Sequence, residues 1–276
     1  MIGKICGTGS SIPVKIMDND DLSNMVDTND AWIRERTGVE KRHIAESEST
    51  VSMAVEAGRQ ALAQTGIRPE ELDMIVVSTM SPDAVLPCTA CEVQKAIGAE
   101  GAVCFDLQAA CTGFVFAYNT AQAYIQSNMC RTVLLIGSER LSRLVDWTDR
   151  GTCILFGDGA GAAVLKAAEG RAYLPVSHSD GKKGEALTCD RYIHMDGRSV
   201  FQFAVTRVPE VIREVLTKNE LIMDDIDYFV LHQANRRIVE AVAKRLRQPI
   251  EKFPMNLQEY GNTSSASIPI LLDEMN

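Results

Sequence analysis

Residues 69–79 read P-E-E-L-D-M-I-V-V-S-T, and residues 224–232 read D-D-I-D-Y-F-V-L-H. Each is an acidic turn running into a short apolar segment, the pattern of a strand buried on both faces. A helical pattern precedes each one. It covers residues 51–65 in the first case, with Val55, Ala57, Leu62 and Ala63 among its apolar positions, and residues 205–218 in the second. The two segments align without gaps at an offset of 154. Arg59 meets Arg213, Leu62 meets Leu216, Leu72 meets Ile226, Asp73 meets Asp227 and Val76 meets Val230. The shared register points to a duplicated helix–turn–strand unit rather than to chance similarity.

Working outward, the first unit continues with a helix over 89–97, a strand over 103–107 and a helix opening at Cys111-Thr112-Gly113. Strands at 132–137 and 153–165 follow, the latter containing G-D-G-A-G. The second continues with a helix over 235–246, a short strand around 253–256 and a helix opening near Ser264. By the repeat, two more strands are expected after it. Strands alternating with helices give an α/β fold with buried, largely parallel sheets. Two such halves make a layered αβαβα sandwich, with an N-terminal half over 1–170 and a C-terminal half over 171–276. The stretch 181–196 is expected as the long loop between them.

The bulk properties agree. The chain has 276 residues, 46% hydrophobic and 24% charged, which suits a large globular core and argues against disorder. The start, M-I-G-K-I-C-G-T-G-S-S-I-P, lacks a signal-peptide pattern, and no apolar run reaches membrane-spanning length, so a cytoplasmic protein is expected. Eight scattered cysteines fit a reducing compartment. A net charge of −9 argues against general nucleic-acid binding.

Cys111 stands out among those eight. It lies in Q-A-A-C-T-G-F (108–114), between a buried strand and an apolar helix. Small neighbours suit a tight turn that places the thiol at a helix N-terminus, where free N–H groups favour the thiolate nucleophile. Cys88 and Cys91 form a C-x-x-C pair without a second pair at zinc spacing, and read as helix packing. Of four histidines, His232 alone ends a buried strand, and strand ends line the ligand crevice in α/β sheets. By itself such a histidine is most simply a satisfied core residue; the repeat brings it to a centre shared with Cys111. G-N-T-S-S-A-S (261–267) reads locally as a plain N-cap loop. It nevertheless holds the place in the second half that Cys111 holds in the first, so the Asn262 amide can donate into the same centre.

A-A-C-T-G-F, H-Q-A-N-R-R-I and G-N-T-S-S-A-S-I-P occur in this order, with D-A-W-I-R-E-R-T-G-V upstream and F-G-D-G-A-G-A between. Together they resemble β-ketoacyl-[acyl carrier protein] synthase III, the initiating condensing enzyme of type II fatty acid synthesis, over nearly the whole chain. The resemblance implies the thiolase fold, a homodimer, and a triad of Cys111, His232 and Asn262. It implies acyl transfer from acyl-CoA to Cys111, then decarboxylation of malonyl-acyl carrier protein, with His232 and Asn262 donating to the developing enolate oxygen. No metal or dissociable redox cofactor is implied; coenzyme A enters as the substrate thioester. The family's CoA contacts map onto Thr28, Trp32, Arg36 and Arg150, an indole for adenine and arginines for phosphate.

An acidic carrier protein calls for a basic patch on this acidic chain. Arg236, Arg237 and Lys244, with Arg245 and Arg247, supply one on the helix after His232, although a charge run is also what any solvated helix face looks like. Leu86, Phe156 and Met195 match positions near the family's acyl pocket without fixing a primer length. Two departures stand beside these matches. The family's C-terminal glycine-rich strand pair, which supplies a backbone amide to the acyl site, has no counterpart in the 276 residues, and the loop before H-M-D-G-R is short. Polyketide, alkylquinolone and HMG-CoA synthases share the cysteine–histidine pair, and a non-catalytic homologue would bind CoA or carrier protein without forming an acyl-enzyme.

Overall fold

A computed structural model describes residues 1–276. In chain order the elements are β1 (Ile2–Ser11), β2 (Ile16–Asp18), α1 (Asn19–Ser23), α2 (Asp30–Thr37), β3 (Lys41–His43), α3 (Thr50–Thr65), β4 (Met74–Ser78), α4 (Thr89–Ile97) and β5 (Val103–Leu107). There follow α5 (Gly113–Gln126), β6 (Thr132–Arg140), β7 (Asp158–Ala168), β8 (Leu187–Cys189), β9 (Ile193–Met195), α6 (Gly197–Lys218), α7 (Arg236–Leu246), α8 (Leu257–Tyr260) and α9 (Ser267–Met275). No helix is long and apolar enough to cross a membrane.

One mixed sheet, in the order β1-β7-β6-β4-β5, organises the first half. β4 is parallel to both β5 and β6, while β7 is antiparallel to β6 and β1. Every side chain of β4 is buried, as its unbroken apolar run requires. Alternation sorts the strand residues between two cores. Ile75, Val77, Leu134 and Ile136 meet α3 and α4 on the outer face. Met74, Val76, Val133 and Leu135 meet α5 and Ile268 of α9 on the inner face. A further core packs Phe229 and Phe253 against α6 and α7.

The expected αβαβα layering is therefore visible, with an unusual fourth layer. Residues 228–232 are extended and alternate as a strand does: Phe229 and Leu231 turn to the α6–α7 core, and Val230 to the α5–α9 core. Yet they form no ladder, and the expected strands at 228–232 and 253–256 are not formed. The physical reason is pairing. β4 has β5 and β6 on either side, whereas no strand pairs with 228–232. Phe229 N–H finds the Lys252 carbonyl at 2.7 Å instead, and the Lys252 ammonium caps the Ile226 carbonyl at 2.6 Å.

Other boundaries also shift. The strand expected from 153 begins at Asp158, because 149–155 is closed as a turn by Cys153 N–H to Asp149 and Leu155 N–H to Thr152. The expected loop at 181–196 holds a 3-10 turn and the β8–β9 hairpin. The second-half helix starts at Gly197 rather than 205, capped by the Asp196 carboxylate.

The 154-residue repeat extends to backbone detail. Gly66 ends α3 in the left-handed region, and Glu220 does the same just past α6. The 3-10 turns Pro69–Glu71 and Met223–Asp225 correspond, as do Ala110–Thr112 and Ser264–Ala266. In that last pair the first residues, Ala110 and Ser264, have φ of 45° and 48°. Both turns feed helices, α5 and α9, that start at the same offset.

Candidate active site

The turns 110–112 and 264–266 pack against each other at the centre of the molecule. Glycines allow the approach. A side chain on Gly137 would meet the Ser265 carbonyl at 2.3 Å, and one on Gly113 would meet Ser78 Oγ at 1.9 Å. Ser265, the counterpart of Cys111, donates to this seam. Its Oγ lies 2.9 Å from the Ser78 carbonyl and 2.8 Å from Glu139 Oε1. Glu139 is fully buried without a cation; Thr79 Oγ1, Ser81 Oγ and Met80 N–H complete its shell. Burial raises its carboxyl above the ordinary range, opposed by those hydrogen bonds.

Cys111 is half-buried in the first turn. Helix α5 begins only at Gly113, so the thiol sits just before the helix cap rather than on it. Desolvation pushes its pKa up to about 11, opposed by the neighbouring Ser264 hydroxyl. The expected thiolate is thus not the resting form: removal from water outweighs the helix terminus and the hydroxyl. Ser264 Oγ is buried beside the thiol and completes no regular hydrogen bond in the resting protein. The thiolate formed during attack would be its natural partner.

His232 and Asn262 are each held by one side and open on the other. His232 Nδ1 lies 2.6 Å from Ser267 Oγ, while Nε2 is buried with no protein partner. Burial lowers the imidazole pKa to about 4, so the ring is neutral at pH 7. Asn262 backbone groups are fixed by Leu155 and Gly157, through a parallel bridge at Phe156. Its side-chain Oδ1 accepts the Ser264 N–H at 2.8 Å. That bond assigns the amide orientation, leaving Nδ2 to donate. Ser264 therefore touches all three expected residues: its hydroxyl lies beside Cys111, its backbone beside His232, and its N–H on Asn262. Sequence reading missed Ser264, Ser267 and Glu139. Carrying the offset of 154 through Ala110 and Gly113 would have pointed to the first two; nothing in the sequence singled out Glu139.

A second cluster forms around Trp32. The Arg36 and Arg150 guanidinium carbons stand 4.8 and 5.0 Å from the indole centroid. Arg150 also donates to the Asp27 carbonyl at 2.9 Å, next to Thr28, whose Oγ1 is buried and unpartnered. Trp32 packs on the core that holds Phe156 and Met195. Leu86 does not join them; with Val85 it is exposed on the loop before α4. Helix α7 adjoins this cluster through Asn235, whose amide donates to the Arg36 carbonyl at 3.0 Å. Arg236, Arg237 and Lys244 are exposed on it. Arg236 is drawn toward Glu240 and the Arg34 carbonyl, and Arg237 lies over Phe201.

The other cysteine-bearing helix start provides a contrast. Cys88 caps α4 with its sulfur 3.4 Å from Cys91, as expected for packing. The free N–H groups of Thr89 and Ala90 are already taken by the Asp106 carboxylate, at 2.8 Å each. An anion site there is filled from within.

Comparison with known proteins points to one family. The family model for 3-oxoacyl-[acyl-carrier-protein] synthase III matches residues 105–181, and that for its C-terminal part matches 216–276. A β-ketoacyl-[acyl-carrier-protein] synthase III of Clostridium novyi (strain NT) is 47% identical over 290 residues, spanning 99% of this chain and 90% of that protein. The crystal structure of 3-oxoacyl-[acyl-carrier-protein] synthase III from Aquifex aeolicus VF5 superposes with a TM-score of 0.97 at 44% identity, covering 99% of this chain and 90% of that one. The priming β-ketosynthase of the R1128 polyketide pathway superposes with a TM-score of 0.96 at 35% identity, covering 99% and 87%.

Proposed function

This chain belongs to the β-ketoacyl-[acyl carrier protein] synthase III family, and we propose that Cys111, His232 and Asn262 carry the family's reaction between them. The reaction is the initiating condensation of fatty acid synthesis, an acyl transfer joining an acyl-CoA primer to malonyl-acyl carrier protein. The observation that supports the assignment is the pair of facing turns, which brings the thiol and two free donors together around Ser264. The polyketide reading is less favoured, since the match to synthase III relatives is closer.

Cys111 sulfur attacks the acyl-CoA carbonyl; the acyl–sulfur bond to CoA breaks, and CoA leaves as the thiol with the Cys111 proton. Malonyl-carrier protein then loses CO2. The electron pair released passes into its thioester as an enolate. His232 Nε2 and the Asn262 amide donate to that oxygen. Donors already in place are worth about 2.7–4 kcal/mol each, because they act where water is excluded. The enolate carbon attacks the acyl-Cys111 carbonyl, and sulfur leaves as thiolate, which takes a proton from solvent to restore the thiol.

Trp32, Arg36, Arg150 and Thr28 hold CoA in this reading, the indole stacking on adenine between two guanidiniums. Arg236, Arg237 and Lys244 receive the acidic carrier protein beside it. A homodimer suits the free edge of β5, where Val103 is exposed, and the protruding Val85-Leu86 loop. We place the reaction in the cytoplasm. The test is direct: acetyl-CoA should leave one acetyl group on Cys111 by mass spectrometry, and malonyl-carrier protein should discharge it as 3-oxoacyl product. Absence of the adduct with every acyl-CoA tried would overturn the reading. Reversing Arg237 and Lys244 to glutamate should weaken the second step more than the first; equal losses would remove the patch from the account.

A further inference from the structure

Only one arrangement of the hydrogen bonds around Ser267 gives its buried hydroxyl hydrogen an acceptor. Ser267 is the first residue of α9 and is 2% exposed. Its Oγ lies 2.6 Å from His232 Nδ1 and 3.3 Å from the backbone nitrogen of Gln233. A hydroxyl offers one hydrogen and two lone pairs. The Gln233 N–H occupies one lone pair. No carbonyl or carboxylate accepts from Ser267 Oγ, so its hydrogen has a single available partner, His232 Nδ1. Were Nδ1 protonated, it would fill the second lone pair, and a buried hydroxyl hydrogen would be left without an acceptor. The nearby Ser264 carbonyl does not rescue that alternative. It lies beside the ring and accepts the Ser267 backbone N–H, while the Ser267 hydroxyl is the ring's one partner in regular hydrogen-bond geometry.

We infer that Ser267 is a positioning residue that sets the tautomer of His232, donating to Nδ1 so that the ring proton stays on Nε2. Nε2 is the buried, unpartnered ring atom, and its N–H is what a developing enolate oxygen requires. The inference rests on the proposed donor role of His232. The repeat shows why the device belongs to one half alone. Gly113 occupies the equivalent of Ser267, and Ser78 the equivalent of His232. A Cβ at Gly113 would come 1.9 Å from Ser78 Oγ, so the first half closes this contact to side chains. The second half fills the equivalent place with a hydroxyl and an imidazole.

The test uses the full-length protein with 15N-labelled histidine, the His232 signals being assigned by their loss in H232Q. At pH 7 the Nε2–H tautomer is expected. In S267A the tautomers should mix, and the turnover rate of malonyl-carrier protein decarboxylation should fall about 10–100-fold, by analogy with the hydrogen-bond partners that orient metal-bound histidines. KM should move little, and S267T should restore both signals. An Nδ1–H tautomer in the unaltered protein would overturn the inference, as would S267A retaining both tautomer and rate. Failure of the unaltered protein to condense would instead overturn the proposed function, and the tautomer would still judge Ser267.

Discussion

The turns at 110–113 and 264–267 share a backbone and differ in chemistry. Each begins with a residue held in the left-handed region, passes through a 3-10 turn and opens a helix against the same sheet. In the first, the second residue is Cys111, a half-buried thiol. In the second it is Ser265, a fully buried hydroxyl tied to Ser78 and Glu139. The strand ends differ likewise: Ser78 lies in the seam, and His232 presents Nε2 to the centre. The two halves thus share one geometric device, and in the proposed reaction they divide the labour, with a nucleophile on one side and hydrogen-bond donors on the other. Strain retained at two non-glycine residues, Ala110 and Ser264, is consistent with both turns being functional.

Making the two turns alike should be the most damaging change. C111S puts serine in both; steady-state condensation should drop about 10^4–10^6-fold, as when a covalent nucleophile is lost. A rate within tenfold of the unaltered enzyme would break the comparison. Next comes the seam. G137A forces a methyl onto the Ser265 carbonyl and should destabilise the protein by about 1–3 kcal/mol in urea unfolding, the usual cost of overpacking. An unchanged midpoint would mean that the halves are not tightly apposed. The smallest effect concerns strain. A110G relieves a left-handed alanine, worth about 1–2 kcal/mol, against a glycine entropy cost of about 0.5–1. Stability should therefore rise by about 0–1.5 kcal/mol, and a clear loss would place the Ala110 methyl in the packing.

Acidity distinguishes the second half further. Folded His232 has its pKa lowered to about 4 from 6.5, so unfolded chains take up this proton first as pH falls. Its contribution to stability is complete above 6.5 and declines as pH drops toward about 4. Decarboxylation measured alone should keep its neutral donor, and hence its rate, from pH 8 to about pH 5. A drop centred near 6.5 would show that the imidazole is not shielded.

Much of this was legible in the sequence because the repeat preserves register. The acidic turns, the buried strand and the family motifs singled out Cys111, His232 and Asn262, which the structure gathers around Ser264, and Arg36 and Arg150 lie over Trp32. What escaped were properties that depend on neighbours. Residues 228–232 carry a strand's alternation, but a strand also needs partners for its backbone. The helix start after Cys111 suggested a thiolate, but only burial reveals how strongly desolvation opposes it. Glu139 reads as an ordinary polar residue at a strand end until Ser265, 126 residues later, is seen to touch it. The tautomer of His232 depends on the hydroxyl of Ser267, which by sequence is one of several serines in a cap-rich loop.

The division of labour is tested most directly by measuring the two half-reactions separately in H232A and N262A. Both variants should still form the acetyl-Cys111 adduct from acetyl-CoA, while malonyl-carrier protein decarboxylation falls about 10^2–10^3-fold in each, as for a lost oxyanion donor. Loss of the adduct in step with decarboxylation, or decarboxylation that survives in both variants, would contradict the account.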